Sequence, residues 1–209
     1  MLSSIDVVIA GLASNGAAAL RNLSRQGYSV VGISHDATEV GCYSQHGTKL
    51  ILPDPMSNED DWVRCLLEAF GNGENRPVLI PTSDRYVLAI DSAAARLRGR
   101  FRFHGFGTGL RSTLTSKKLT FELAESHGFP TPRTIFVDDK RQLEDFAKSL
   151  NSHVLIKPEF SLDWRSQEAE RVVGRAKVIC ATSVESIIDA YERIRPICPS
   201  GLNHLKYGV

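Results

Sequence analysis

Ser116-Lys117-Lys118-Leu119-Thr120-Phe121-Glu122-Leu123-Ala124-Glu125-Ser126-His127-Gly128-Phe129-Pro130-Thr131-Pro132-Arg133-Thr134, followed by Val154-Leu155-Ile156-Lys157-Pro158, is the stretch on which the reading of this chain turns. The first part has helical composition from Lys117 to His127 and a stop at Gly128, and its two prolines lead into a short β-branched run, residues 134–137. The second part is an apolar strand that ends in a lysine. One lysine heads a helix and the other closes a strand, and at such edges a compact ammonium on a flexible stem can follow phosphate oxygens.

Outward from there, the preceding residues alternate strand and helix. Residues 5–10 are an apolar run ended by Gly11, residues 17–26 are helical in composition with Gly27 as their stop, and residues 28–33 are a second apolar run. This is a β-α-β unit, whose strands should be parallel. A third strand is expected at 49–52 and a helix from the acidic 59–61 cluster to Phe70. A fourth strand is expected at 78–80, a helix at 84–97 with Val87, Leu88, Ile90 and Ala94 on one face, and a fifth strand at 101–106. Gly105, Gly107 and Gly109 then punctuate the chain, and a boundary is placed near residue 112. Past it, a helix is expected at 139–150, a strand at 176–181 and a helix at 183–195, while residues 196–209 read as a loop-like tail. The fold class is α/β: a doubly wound, mainly parallel sheet in residues 1–112, then an incomplete α+β lobe in 113–209.

Composition is that of an ordinary globular chain, 209 residues with 42% hydrophobic and 23% charged, which suffices for a sizeable core. A formal net charge of +1 with interspersed signs leaves no electrostatic footprint for a nucleic-acid backbone. No apolar run approaches the roughly 18 residues of a membrane span. Cys42, Cys65, Cys180 and Cys198 have neither disulfide-framework nor metal spacing, so they read as reduced thiols of a cytoplasmic protein.

Gly11-Leu12-Ala13-Ser14-Asn15-Gly16 resembles a dinucleotide fingerprint with Ala13 at the middle glycine, and Asp36 follows the second strand where a ribose-binding acid would sit. The same small residues equally allow tight helix-to-strand packing, so NAD(P) binding stands as a minor alternative. A Walker loop is excluded, because Ala17 and Ala18 stand where Lys and Ser or Thr are needed. Gly32-Ile33-Ser34-His35-Asp36 has Asp where a nucleophile elbow needs its closing glycine, which argues against Ser34 as a nucleophile.

The Lys117 helix with Gly128-Phe129-Pro130-x-Pro132-x-Thr134, the strand ending Lys157-Pro158, and the strand Val78-Leu79-Ile80-Pro81-Thr82-Ser83-Asp84 together resemble the ATP-grasp superfamily over nearly the whole chain. Within it the resemblance is to the carbamoyl-phosphate-synthase-like or carboxylate–amine-ligase-like branch, with residues 1–112 similar to a preATP-grasp domain. The resemblance implies ATP and Mg2+ as cofactors, a small carboxylate substrate, and Lys117, Lys157 and Lys177 as nucleotide contacts, with Lys118 an ambiguous neighbour. It also implies a C–N ligase activity for a complete protein, and leaves a homodimer open. Two departures accompany it. The phosphate-covering loop of the superfamily is glycine-rich, whereas residues 159–171 here carry no glycine and Gly174 stands only at the end, so the segment reads as a solvated loop with Arg165, Arg171 and Lys177 as charges. The tail also lacks the strand, adenine hinge and metal-binding acids that the resemblance implies should follow. These departures suggest a truncated chain, and they keep a non-catalytic nucleotide-binding or interaction module as the alternative.

Overall fold

The computed structural model describes residues 4–70, 75–105, 113, 115–137, 139–149, 153–161, 163–174, 176–198 and 202–206. The chain divides into two compact units, residues 1–106 and 107–209. The boundary expected near residue 112 lies outside the described residues.

In the first unit, β1 (Val7–Ala10), β2 (Val30–Ser34), β3 (Thr48–Ile51) and β4 (Val78–Pro81) form one parallel sheet in the order β3-β2-β1-β4. Every residue of β1 and β2 is buried, as expected of strands covered on both faces. Alternation along the strands then sorts their side chains. Val8, Ala10, Val31 and Ile33 pack with Trp62 and Leu66 of α2 (Glu59–Phe70) and with Tyr86 and Ile90 of α3 (Asp84–Ser92). Val7, Ile9 and Val30 pack on the other face with Leu20 of α1 (Ser14–Arg25). Helices thus cover both faces, and the doubly wound, mainly parallel sheet expected from the alternation is the one found.

Two expectations for this unit need correction. The helix expected at 84–97 is interrupted at Ala93, whose φ of −86° and ψ of 10° separate α3 from the one-turn α4 (Ala94–Leu97). The fifth strand expected at 101–106 reduces, among the described residues, to one parallel bridge between Arg102 and Val78. Phe101 explains this: its side chain is drawn into the core, edge-on to Phe70 at 5.4 Å between ring centroids, which makes the run a core plug rather than a ladder.

The second unit is built on an antiparallel sheet of β5 (Thr134–Val137), β6 (Val154–Pro158), β7 (Ile179–Ala181) and β8 (Leu202–Lys206), ordered β5-β8-β6-β7. Val154, Ile156 and Ala181 bury against Leu143 and Ala147 of α6 (Lys140–Lys148) and Ile187, Ala190 and Ile194 of α8 (Val184–Ile194). Both helices start at a side-chain cap. Asp139 accepts from the Gln142 N–H, and Ser183 and Ser186 form a reciprocal capping box.

The expected tail is overturned by β8. It lies between β5 and β6 and bonds to both, with Leu202 opposite Val137 on one side and opposite Pro158 on the other. Its sequence, Leu-Asn-His-Leu-Lys, has no period-two pattern, so its strand character comes from two ladders to neighbours far away in the chain. The solvated loop expected at 159–171 is also replaced. A 3-10 turn at Asp163–Arg165 buries Trp164, whose indole N–H donates to Cys198 Sγ at 3.0 Å. Ser166 then caps α7 (Gln167–Val173) by accepting from the Ala169 N–H.

Candidate functional site

α5 (Lys117–Ser126) is bounded by its own sequence at both ends. Ser116 is its N-cap and accepts from the Leu119 N–H at 3.2 Å. At the other end Gly128 takes φ +72°, and the Gly128 and Phe129 N–H groups donate to the Glu125 and Ala124 carbonyls. This pair of bonds is the Schellman stop, for which glycine is the residue of lowest cost.

The head of α5 is attached to the residue just past β6. The Ser116 hydroxyl, buried with 1% exposure, donates to Glu159 Oε1 at 2.7 Å. Lys117 donates twice to the Glu159 carbonyl, from its N–H at 3.3 Å and from its ammonium at 3.0 Å, and its ammonium lies 3.5 Å from Ser161 Oγ. Lys157 is two residues upstream on β6, half-buried and facing away from the core side taken by Val154 and Ile156. Its ammonium has no partner among the described residues.

The antiparallel register brings these groups to one end of the sheet. Pro158 at the close of β6 stands opposite Leu202 at the start of β8, and Ile156 stands opposite Ile179 at the start of β7. Lys177 is exposed two residues before β7, so it reaches the sheet at the end where Lys157 leaves it. The Lys118 ammonium lies 5.8 Å from the centroid of the Phe136 ring, and Phe136 shares a cross-strand row with Asn203 and Lys157. Arg171 is exposed on α7 and lies near no other candidate by any described contact, while the Arg165 side chain lies outside the described residues. Glu159 and Ser116 were not among the sequence candidates. Ser116 has a legible signal, a serine directly before a helical run. Glu159 has none, because its contacts span 42 and 43 residues.

Among the described residues no group of three or more His, Cys, Asp or Glu could hold a metal ion.

The glycine turn of the first unit has a different chemistry. Gly11 adopts φ +96°, and a Cβ on Gly16 would lie 1.8 Å from the Gly11 carbonyl oxygen, so both glycines are required by close approach of the backbone. The turn sits where the strand order reverses between β1 and β4, and Thr82 Oγ1 donates across that seam to the Gly11 carbonyl at 2.8 Å. An anion is already in place there. Glu39 Oε2 accepts from the Leu12 N–H at 2.5 Å and from the buried Ser34 hydroxyl at 2.7 Å. Asp36 accepts from the Thr38 hydroxyl and N–H, which hold its carboxyl below the usual carboxylate range. The two features that suggested a dinucleotide, the turn and Asp36, thus have intramolecular partners.

Beside this turn, burial pushes the Tyr86 phenol up to about 12, and its oxygen accepts from the His35 N–H at 2.9 Å. Burial opposes ionisation of Asp54, yet the Met56 N–H and the Arg85 guanidinium, 2.5 Å away, hold its carboxyl below its ordinary pKa.

No family model and no curated protein matches the sequence. Solved structures do match in fold. The L-amino acid ligase from Bacillus licheniformis superposes with a TM-score of 0.68 at 12% identity, over 99% of this chain and 45% of that one. A carboxyaminoimidazole ribonucleotide synthase from Aspergillus clavatus, complexed with ATP, superposes with a TM-score of 0.66 at 15% identity, over 99% and 48%. The biotin carboxylase domain dimer of 2-oxoglutarate carboxylase from Hydrogenobacter thermophilus, complexed with MgADP and bicarbonate, gives 0.62 at 15% identity, over 99% and 45%. The chain thus spans about half the length of the solved structures it matches. At these identities the likeness is one of fold, and at that level the ATP-grasp resemblance read from the sequence holds.

Proposed function

We propose that the chain binds the phosphates of ATP at the lysine end of its second unit, as part of a ligase that activates a small carboxylate for attack by an amine. The observation behind this reading is that Lys117, Lys157 and Lys177 stand in the chain segments that meet at the Pro158 end of β6, with the Lys157 ammonium unpartnered among the described residues. Shared fold alone would not support it, since one fold hosts many chemistries. Two of the solved structures of like fold are complexes with ATP or MgADP, and this favours the nucleotide over other phosphate compounds.

The chemistry assigned to the complete reaction is a double displacement. A carboxylate oxygen attacks the γ-phosphorus and ADP leaves, forming an acyl phosphate; the amine then attacks the acyl carbon and phosphate leaves as the amide forms. The lysines of this chain hold the transferring and leaving phosphate oxygens, whose charge their ammonium groups offset. Magnesium belongs to the same reading, with its ligands outside the described set. So does a cytoplasmic location: all four cysteines are free, and no described helix is long and apolar enough to cross a membrane.

Titration calorimetry with ADP tests the binding step. Lys157→Ala should weaken ADP about tenfold or more, as expected for loss of a charge-assisted hydrogen bond. Unchanged affinity would sink the reading. A second reading, a non-catalytic nucleotide-binding or interaction module, is favoured by Leu119 and Leu123, exposed one turn apart on α5, and by Phe129, 66% exposed just past it. It expects ADP binding without release of phosphate from ATP when carboxylates and amines are supplied.

A further inference from the structure

The helix that carries Lys117 is held in an unusual way. Although α5 has ten residues, none of them is buried, so core packing, which places most helices, contributes little to its position. Its head is instead held by polar bonds, three of them to Glu159. The Ser116 hydroxyl reaches the Glu159 carboxylate, and the Lys117 N–H and ammonium reach the Glu159 carbonyl. Ser116 is itself almost wholly buried while it caps the helix, so its oxygen serves two elements at once. Other attachments of α5 include the Thr120 hydroxyl on the Thr113 carbonyl at 2.8 Å, the Thr131 hydroxyl on the Glu125 carboxylate at 3.0 Å and the Lys118 ammonium over the Phe136 ring.

We infer that Glu159 is a positioning residue for nucleotide affinity: acting through Ser116, it sets the Lys117 helix head against the strand end that carries Lys157. The inference rests on the nucleotide reading above and adds a residue that the lysine pattern does not contain. Its physical basis is that two ammonium groups can share one polyphosphate only if their elements keep a defined separation. The Glu159 carboxylate supplies that constraint at 2.7 Å to a buried hydroxyl. When a phosphate arrives, the Lys117 ammonium exchanges the Glu159 carbonyl for a phosphate oxygen, while the Ser116 bond keeps the helix head in place.

The test separates reach from charge, using ADP titrations of the whole chain. Glu159→Asp keeps the charge but withdraws the carboxylate by one methylene, and should weaken ADP about three- to tenfold, the size of one lost hydrogen bond. Glu159→Gln keeps an amide oxygen within reach of the Ser116 proton and should stay within about twofold of the unmodified chain. Ser116→Ala, which also removes the helix cap, should weaken ADP at least as much as Glu159→Asp, and the two together should do no more than Ser116→Ala alone, the signature of a shared bond. Melting temperatures are recorded beside each titration. If Glu159→Asp lowers the melting temperature but leaves ADP affinity unchanged, or if its effect simply adds to that of Ser116→Ala, the inference is overturned. Lys157→Ala is run in parallel. Should Lys157→Ala weaken ADP while Glu159→Asp does not, the inference alone falls; should Lys157→Ala change nothing, the nucleotide reading falls first.

Discussion

The two units hold their polar groups in opposite ways. At the glycine turn of the first, the N–H of Leu12 is already bonded to the Glu39 carboxylate, the buried Ser34 hydroxyl backs the same oxygen, and Thr82 closes the seam beside Gly11. At the lysine end of the second, ammonium groups stand beside the Glu159 carboxylate, which is bonded to the Ser116 hydroxyl, and the ammonium of Lys157 has no partner among the described residues. A fingerprint-like turn and a pair of lysines look comparably promising as sequence. Their partners distinguish them, because a donor that already holds an internal carboxylate must lose that bond before it can accept a ligand.

The units also differ in how their elements are held. The parallel sheet of the first is enclosed by apolar side chains on both faces, with Val8, Ile9, Ala10, Val31 and Ile33 wholly buried. In the second, α5 is fastened by polar bonds at its head. Substitutions at the glycine turn should therefore act on stability, and those at the head of α5 and at Lys157 on ligand affinity.

The largest effect should come from Gly16→Ala. The new methyl would meet the Gly11 carbonyl oxygen, which is backbone and cannot swing aside. Urea unfolding should show the first unit destabilised by about 3 kcal/mol or more. A loss below about 0.5 kcal/mol would show that the turn is not tightly packed. By contrast, the half-exposed Lys157→Ala should leave unfolding within about 0.5 kcal/mol of the unmodified chain even as it weakens ADP.

Alkaline pH sharpens the contrast further. In the unfolded chain Tyr86 ionises near its ordinary value of 10.0, whereas in the folded chain it does so near 12. Its contribution is therefore complete below pH 10 and is lost as pH rises toward 12, by about 2 to 3 kcal/mol from a shift of that size. The alkaline limb of stability against pH should be shallower by that amount in Tyr86→Phe, and identical limbs would refute the assignment. Smallest is the α8 cap. Ser183→Ala removes one half of the capping box and should cost the second unit about 1 kcal/mol, measured by urea unfolding.

Much of the fold was legible because its signals are local. The apolar runs of β1, β2 and β4, the stops at Gly27 and Gly128, and the helix starts at Ser116, Asp139 and Ser183 all reside in a few adjacent residues. Of the proposed site, Lys117, Lys157 and Lys177 were read from the resemblance and from their places at element ends, and the ADP titrations are what test them. What was missed depends on partners far along the chain. β8 has no strand pattern of its own, residues 163–173 fold back onto Cys198 and the second core, and Phe101 turns a strand-like run into a plug.

The sequence by itself determined the periodicities, the caps and the residue types, and hence an α/β first unit followed by a second unit with a lysine at the head of one helix and another at the end of one strand. Only the tertiary structure decided which partners these polar groups have. That choice rests on hydrogen bonds across 27 residues to Glu39 and across 42 and 43 residues to Glu159. Such bonds form only when the folded backbone brings the two partners within about 3 Å, and no local pattern encodes that distance.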